Sequence, residues 1–301
     1  MTELMIAADA GDLCGECPVW DPQTRSLYWV DIDGGRFSRY DYVSGRHDIL
    51  RRGVSIHGFR LNQAGGFVIT NSRGVWLWNG GDTLRLIADV VEESKCQLND
   101  CVADQFGRLL TGSYFYHPEK PYDPGKLIQV DNHGSLTVID EGFHLSNGLD
   151  FSPDGRTLYF TDSVARRIYA YDYDPMSGTV SRRRVLVQVP DTEGLPDGLA
   201  VDSEGFIWSA QWYGSCVVRY DPDGAVERRL EVPAKQTTSI AFGGDEMTEI
   251  FVTSAAKPGP LPIMPPGYDP FSGRLGGRLY RTNLGIRGKV AFQANISMLF
   301  Q

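Results

Sequence analysis

Six short segments repeat one pattern along the chain, at intervals of 41, 42, 48, 50 and 41 residues. They begin at Glu16, His57, Asn99, Asn147, Asp197 and Thr238. Each runs from a polar residue through a short apolar stretch to a polar turn and then into a β-rich run, as in NGLDFSPDGRTLYFTD from Asn147. Repeats of this length that read strand, turn, strand are the mark of radial β architectures, in which no unit can bury both its faces alone. Six units in 301 residues leave about 50 residues each, room for four ordinary strands and their turns. The pattern therefore predicts an all-β chain folded as a six-bladed β-propeller.

The repeat runs from end to end without a Pro- or Ser-rich linker, so residues 1–301 are expected to form a single domain. The 34 Gly and 17 Pro suit a fold rich in tight turns. No run approaches the roughly 18 apolar residues of a membrane span, and the opening MTELMIAADAGD has neither the basic nor the apolar region of a signal peptide. A cytoplasmic location is the expectation, with no membrane partner. A net charge of -9 argues against a nucleic-acid surface, which needs clustered Lys and Arg. The one basic knot, Arg182 to Arg184, reads as a solvated strand edge.

Five cysteines do not suggest a disulfide framework. Cys14, Cys17, Cys96 and Cys101 could be imagined as a thiolate zinc site, but the second pair is spaced wider than structural zinc ligands usually are. Free, buried thiols are the simpler expectation. Aromatic and β-branched runs predict strands at 26–32, 66–70, 107–113, 157–162, 206–212 and 249–254, with others at 167–173, 184–189, 216–220 and 278–282. No amphipathic helix stands out. The opening LMIAAD can pair with the last blade, which would close the ring and remove an exposed edge.

The apolar stretch after each repeated polar residue should form the innermost strand of its blade. The polar residue then sits where that strand begins, at one mouth of the central channel. Asn147-Gly148 and Asp197-Gly198 could instead make Asx turns at the blade tops. For the ring as a whole that alternative is weak, because Glu16 and Asp197 converging in a narrow channel would repel unless a cation neutralised them. Carboxylate and amide oxygens suit a divalent ion, with open positions left for water and substrate.

These residues resemble the senescence marker protein (regucalcin), gluconolactonase and luciferin-regenerating enzyme family of six-bladed propellers. The likeness runs from Gly15-Glu16-Cys17-Pro18-Val19-Trp20 through Leu98-Asn99-Asp100, Ser146-Asn147-Gly148-Leu149 and Pro196-Asp197-Gly198 to Thr237-Thr238-Ser239. The resemblance implies one divalent metal at the channel mouth, held by Glu16, Asn147 and Asp197. It also implies that Asn99 stands beside the metal as a weaker ligand or a substrate contact, and that Asp197 is the catalytic base. Sugar lactones are the substrates that such a likeness implies most often, with a small-molecule lactone as the partner and a monomer or weak homo-oligomer as the assembly.

A lactone is a cyclic ester, and an open-sided dication suits its hydrolysis to the aldonic acid. Asp197, or His57 if it faces the pocket, could take the proton of the attacking water; His57 could equally just hold a neighbouring loop. Many relatives carry Arg two residues before the Asn of the Asn-Asp motif, whereas this chain has Gln97, which binds hydroxyls without a charged fork. The aromatic run from Tyr114 to Pro118 and the Pro-rich stretch 257–275 are candidate pocket walls, the latter also a candidate subunit contact. Calcium, zinc, magnesium, manganese and ferrous iron all accept such a ligand set. Two other readings remain open on this scaffold: a metal-dependent phosphotriesterase or aryl esterase, and a calcium-binding propeller without catalysis.

Overall fold

A computed structural model describes residues 4–90, 97–114, 124–257, 263–269 and 271–297. They form six antiparallel sheets of four strands, each sheet one blade of the propeller. The inner strands are Gly15–Asp21, Gly58–Leu61, Gln97–Ala103, Ser146–Phe151, Leu195–Val201 and Thr237–Gly243, in blades 1 to 6. Each packs against the next, and the sixth returns to the first.

Blade 6 is completed from the other end of the chain. Its outermost strand is Met5–Ala8, which pairs antiparallel with Leu279–Asn283 through Met5 and Arg281. The ring closes as the opening residues predict.

The apolar runs form blades because each sheet buries its faces against its neighbours. Between blades 1 and 2, Phe37 meets Phe59, Phe67 and Trp78 at ring separations near 5.0 Å, all edge to face. Separate clusters fill the junctions of blades 2 and 3, 3 and 4, and 4 and 5, and a larger one joins blades 5, 6 and 1 around Trp29, Trp208 and Phe251. Burying each such side chain contributes about 1.5–3 kcal/mol. Asp-turns link the strands at the far ends: Asp104 accepts hydrogen bonds from the backbone of Phe106 and Arg108, and Gly107 takes φ +83°.

Most predicted strands lie within a residue or two of the observed ones. The outer strand of blade 4 is longer than 184–189, running Thr179–Gln188. Arg182, Arg183 and Arg184 lie on it, exposed, and pair with Asp172 and Asp140, so the knot is a solvated edge. Cys14, Cys17, Cys101 and Cys216 are free, while Cys96 lies outside the described residues.

After blade 6 the chain crosses the face opposite the ring of polar residues. Gly288 bridges to Asp202 of blade 5 and Ala294 to Asn62 of blade 2, and Asn295 donates to the carbonyl of Gly107 in blade 3. Lys289 enters the channel from this side and donates to Asp150 Oδ1 at 2.5 Å. That mouth is plugged, leaving a small cavity of about 70 Å³ above the plug, lined in part by Trp20, Arg60 and Asp150.

Candidate active site

Five of the six repeated polar residues sit in an inner strand, at its second or third position, and His57 immediately precedes the sixth strand. A β-bulge falls at this place in blades 1, 3, 4, 5 and 6. In blade 3, Asn99 and Asp100 face Gly112 alone; in blade 4, Asn147 and Gly148 face Thr161; in blade 5, Asp197 and Gly198 face Ala210. A bulge re-aims the side chain that carries it. In blade 1 the bulge follows Glu16, and Cys17 takes φ 48°, a value that a non-glycine residue adopts only where its surroundings enforce it.

The Asx-turn alternative fails here, since Asn147-Gly148 and Asp197-Gly198 lie inside strands. Their glycines serve close approach. A Cβ on Gly148 would stand 2.2 Å from the backbone nitrogen of Leu199, and one on Gly198 would stand 2.1 Å from Ser239 Oγ.

Hydrogen bonds tie the ring positions from blade to blade. Thr238 donates to the carbonyl of Gly15 at 2.5 Å, beside Glu16. His57 Nδ1 meets the carbonyl of Leu98 at 2.8 Å, beside Asn99. Asn99 Nδ2 donates to Asn147 Oδ1 at 3.2 Å and to the Ser146 carbonyl at 2.8 Å. Asn147 donates in turn to Ser163 Oγ and to the Asp197 carboxylate. Thr238 is wholly buried, and these bonds make it a seam of the ring. A carbonyl only accepts, so the His57 proton resides on Nδ1 and Nε2 keeps a lone pair. Burial lowers the pKa of His57 and keeps the ring neutral.

Glu16 is 9% exposed and Asp197 is 4% exposed. Burial raises the pKa of Glu16 to about 8, helped by the charge of Asp100 and opposed by the backbone N–H of Cys17. Burial also lifts Asp197 far above the carboxylate range, and the charges of Glu16 and Asp100 add to the effect while Asn147 opposes it. The two acids, remote in sequence, therefore lie within each other's field. Among the described residues no Lys, Arg or His forms an ion pair with either, and Asp197 Oδ1 has no hydrogen-bond partner.

Below the ring lies a cluster that the repeat does not single out. Asp100 accepts from the Cys101 N–H at 2.8 Å and from the Cys17 thiol at 3.5 Å, with Arg60 at 3.9 Å. Arg60 also reaches Cys17 Sγ at 3.2 Å. On a regular strand Asp100 would face away from Asn99; the bulge turns both inward. A signal was present in the Asn-Asp pair itself, but strand alternation argues against reading it.

Gln97 and Tyr114 meet at the rim of blade 3, where the Tyr114 hydroxyl lies 3.4 Å from Gln97 Oε1. Burial pushes the Tyr114 phenol up to about 12, so it is a neutral donor. The rest of the aromatic run, residues 115 to 118, lies outside the described residues, as do residues 258–262 and 270 of the Pro-rich stretch.

A dication fits this donor set. Among the described residues no three His, Cys, Asp or Glu side chains meet at one point, so an ion would draw on the Asn147 amide as well as Glu16 and Asp197. Two buried carboxylates within each other's field, one with an orphaned oxygen, are the arrangement that a hard cation relieves.

A family model described as SMP-30/Gluconolactonase/LRE-like region matches residues 14–256. The chain is 38% identical to pentonolactonase XacC of Haloferax volcanii over 94% of this chain and 95% of that one. Among solved structures, a luciferin-regenerating enzyme superimposes with TM-score 0.87 at 26% identity, covering 98% of this chain and all of the other. A calcium-binding protein, regucalcin of Agrobacterium tumefaciens, superimposes with TM-score 0.84 at 25% identity over 99% and 98%. No helix among the described residues is long and apolar enough to cross a membrane.

Proposed function

The chain belongs to the SMP-30/Gluconolactonase/LRE-like family, and from that premise we propose that it hydrolyses a sugar lactone to the open aldonic acid with the help of one divalent cation. The observation that carries the proposal is the pair of buried carboxylates, Glu16 and Asp197, which no cation among the described residues pairs with. Glu16, Asn147 and Asp197 would hold the ion. When bound, such an ion polarises an ester carbonyl and stabilises the oxyanion that forms on attack.

The remaining tasks fall to the side chains. Asp197, with an oxygen that no donor occupies, takes a proton from the attacking water and returns it to the ring oxygen as the ester bond breaks. Asn147 orients Asp197, since it donates to the carboxylate while Ser163 and Asn99 fix its amide. Neutral His57, Gln97 and Tyr114 contact substrate hydroxyls at the rim. The absence of a charged fork at Gln97 favours an uncharged sugar. Likeness to a pentonolactonase supports a neutral aldonolactone as the class.

The test is turnover of five- and six-membered aldonolactones, beside an aryl phosphotriester, before and after chelation and in Asp197→Ala. Lactone hydrolysis that chelation abolishes and the variant lacks is expected. Hydrolysis that survives both treatments overturns the assignment.

A further inference from the structure

A groove of about 380 Å³ lies on the blade 5 end that carries Asp197, a volume in the range of small-molecule sites. Its position follows from register. Pro196 pairs with Gln211 and Leu195 with Trp212, so the turn after Ile207–Trp212 emerges where the inner strand of blade 5 begins. Glu193, Gln211, Tyr213 and Arg229 line the groove from blade 5, and Pro265 and Tyr268 line it from the long excursion that blade 6 makes before its third strand.

The lining is built for hydroxyl groups and sugar faces. Gln211 is 1% exposed, and its Oε1 has no partner among the described residues; the hydroxyl of Tyr268 is likewise buried and has none among them. Buried polar atoms are normally satisfied, so two orphans in one lining point to a ligand that supplies their bonds. The Tyr213 and Tyr268 rings lie 4.3 Å apart, and Tyr213 is held at φ 68° in the turn. Glu193 and Arg229 cancel each other as an ion pair at 2.8 Å, and Lys235, stacked on Tyr268, is bound by the Asp269 carbonyl and Ser272 Oγ. A charged ligand finds no unmatched charge here; a neutral, hydroxyl-rich one finds donors, acceptors and aromatic surface.

We propose that this groove binds the glycosyl unit of an aldobionolactone, an aldonolactone carrying a second sugar, while the lactone ring occupies the mouth at Asp197. The inference rests on the lactonase reading above. Strands in a sheet lie about 4.8 Å apart, so Gln211, one strand out from Asp197, and Arg229, three strands out, cover the reach of one linked sugar. In the reaction the bond from water oxygen to the acyl carbon forms, the ring C–O bond breaks, the water's proton ends on the ring oxygen, and the glycosidic bond stays intact.

The experiment compares kcat/KM for gluconolactone and cellobionolactone in the full-length protein, in Tyr268→Ala and in Gln211→Glu, with circular dichroism as the check on folding. Wild type is expected to favour cellobionolactone at least tenfold, mainly through KM. Tyr268→Ala, in a surface loop, is expected to shrink that preference at least fivefold, and Gln211→Glu to shrink it as well. Gluconolactone turnover without a preference for cellobionolactone, or a preference that Tyr268→Ala leaves intact, removes the groove's role and spares the lactonase reading. Failure to hydrolyse either compound overturns this assignment, and failure on five-membered aldonolactones as well removes the lactonase reading.

Discussion

The two mouths of the channel solve the same electrostatic problem in opposite ways. Both carry inward carboxylates on inner strands, a consequence of the sixfold repeat. At the plugged mouth the chain answers Asp150 with its own Lys289, both side chains nearly buried. At the other mouth Glu16 and Asp197 are buried as deeply and, among the described residues, receive no lysine or arginine; Arg60 pairs with Asp100 at 3.9 Å instead. The difference separates a contact that holds the fold from a charge deficit that the proposed ion would answer.

The largest expected effect is at the mouth with Glu16 and Asp197. On the proposed mechanism Asp197→Asn should lower kcat/KM for an aldonolactone by roughly a thousandfold or more, since it would remove a base and a ligand together, with little loss of fold by circular dichroism. Comparable turnover in the variant would erase the contrast.

Next is a pH test of the same mouth. Glu16 titrates at 4.5 in the unfolded chain and about 8 in the fold, and Asp197 is raised too. The metal-free fold therefore holds more protons between those values than the unfolded chain, and its stability should fall as pH rises from about 4.5 to 8. A saturating dication should abolish that slope, and the affinity measured by calorimetry should weaken as pH falls below about 8. A flat melting curve in the chelated protein would break the comparison.

At the plugged mouth, Lys289→Ala should cost about 2 kcal/mol in urea unfolding by leaving Asp150 unanswered, somewhat below the full penalty for a wholly buried pair. Its effect on KM for the lactone should be small. Smallest of all is a solvated pair of similar chemistry, Arg25 with Asp245, at 45% and 56% exposure. Arg25→Ala should change stability by less than about 1 kcal/mol, and a larger change would mean that position in the channel is not what distinguishes Lys289.

Spacing alone made the blades legible, because one polar position recurs at the start of every inner strand. The closing strand Met5–Ala8 was legible for a different reason: LMIAAD is an apolar run with no other sheet to join. What stayed hidden depends on departures from regular structure. The bulges bring Asp100 beneath Asn99 and place Asn147-Gly148 inside a strand, although the dipeptide reads locally as a turn. From Thr179 to Arg183 only Val180 is apolar, and it is half-buried between exposed polar residues, too little alternation to signal a strand, so the outer edge of blade 4 reads short. The segment that carries Lys289 has no periodicity at all; it is positioned by isolated backbone bridges to Asp202 and Asn62 that no pattern announces.

Because blade 6 takes its last strand from Met5–Ala8, a ribosome must release residues beyond Leu279 before the circle can shut. Blades 1 to 5 can form during synthesis, yet Glu16 and Asp197 acquire their final spacing only when the two ends meet. A nascent chain thus carries an incomplete site until late, and a nick or truncation at either end should disable ion capture far from the cut.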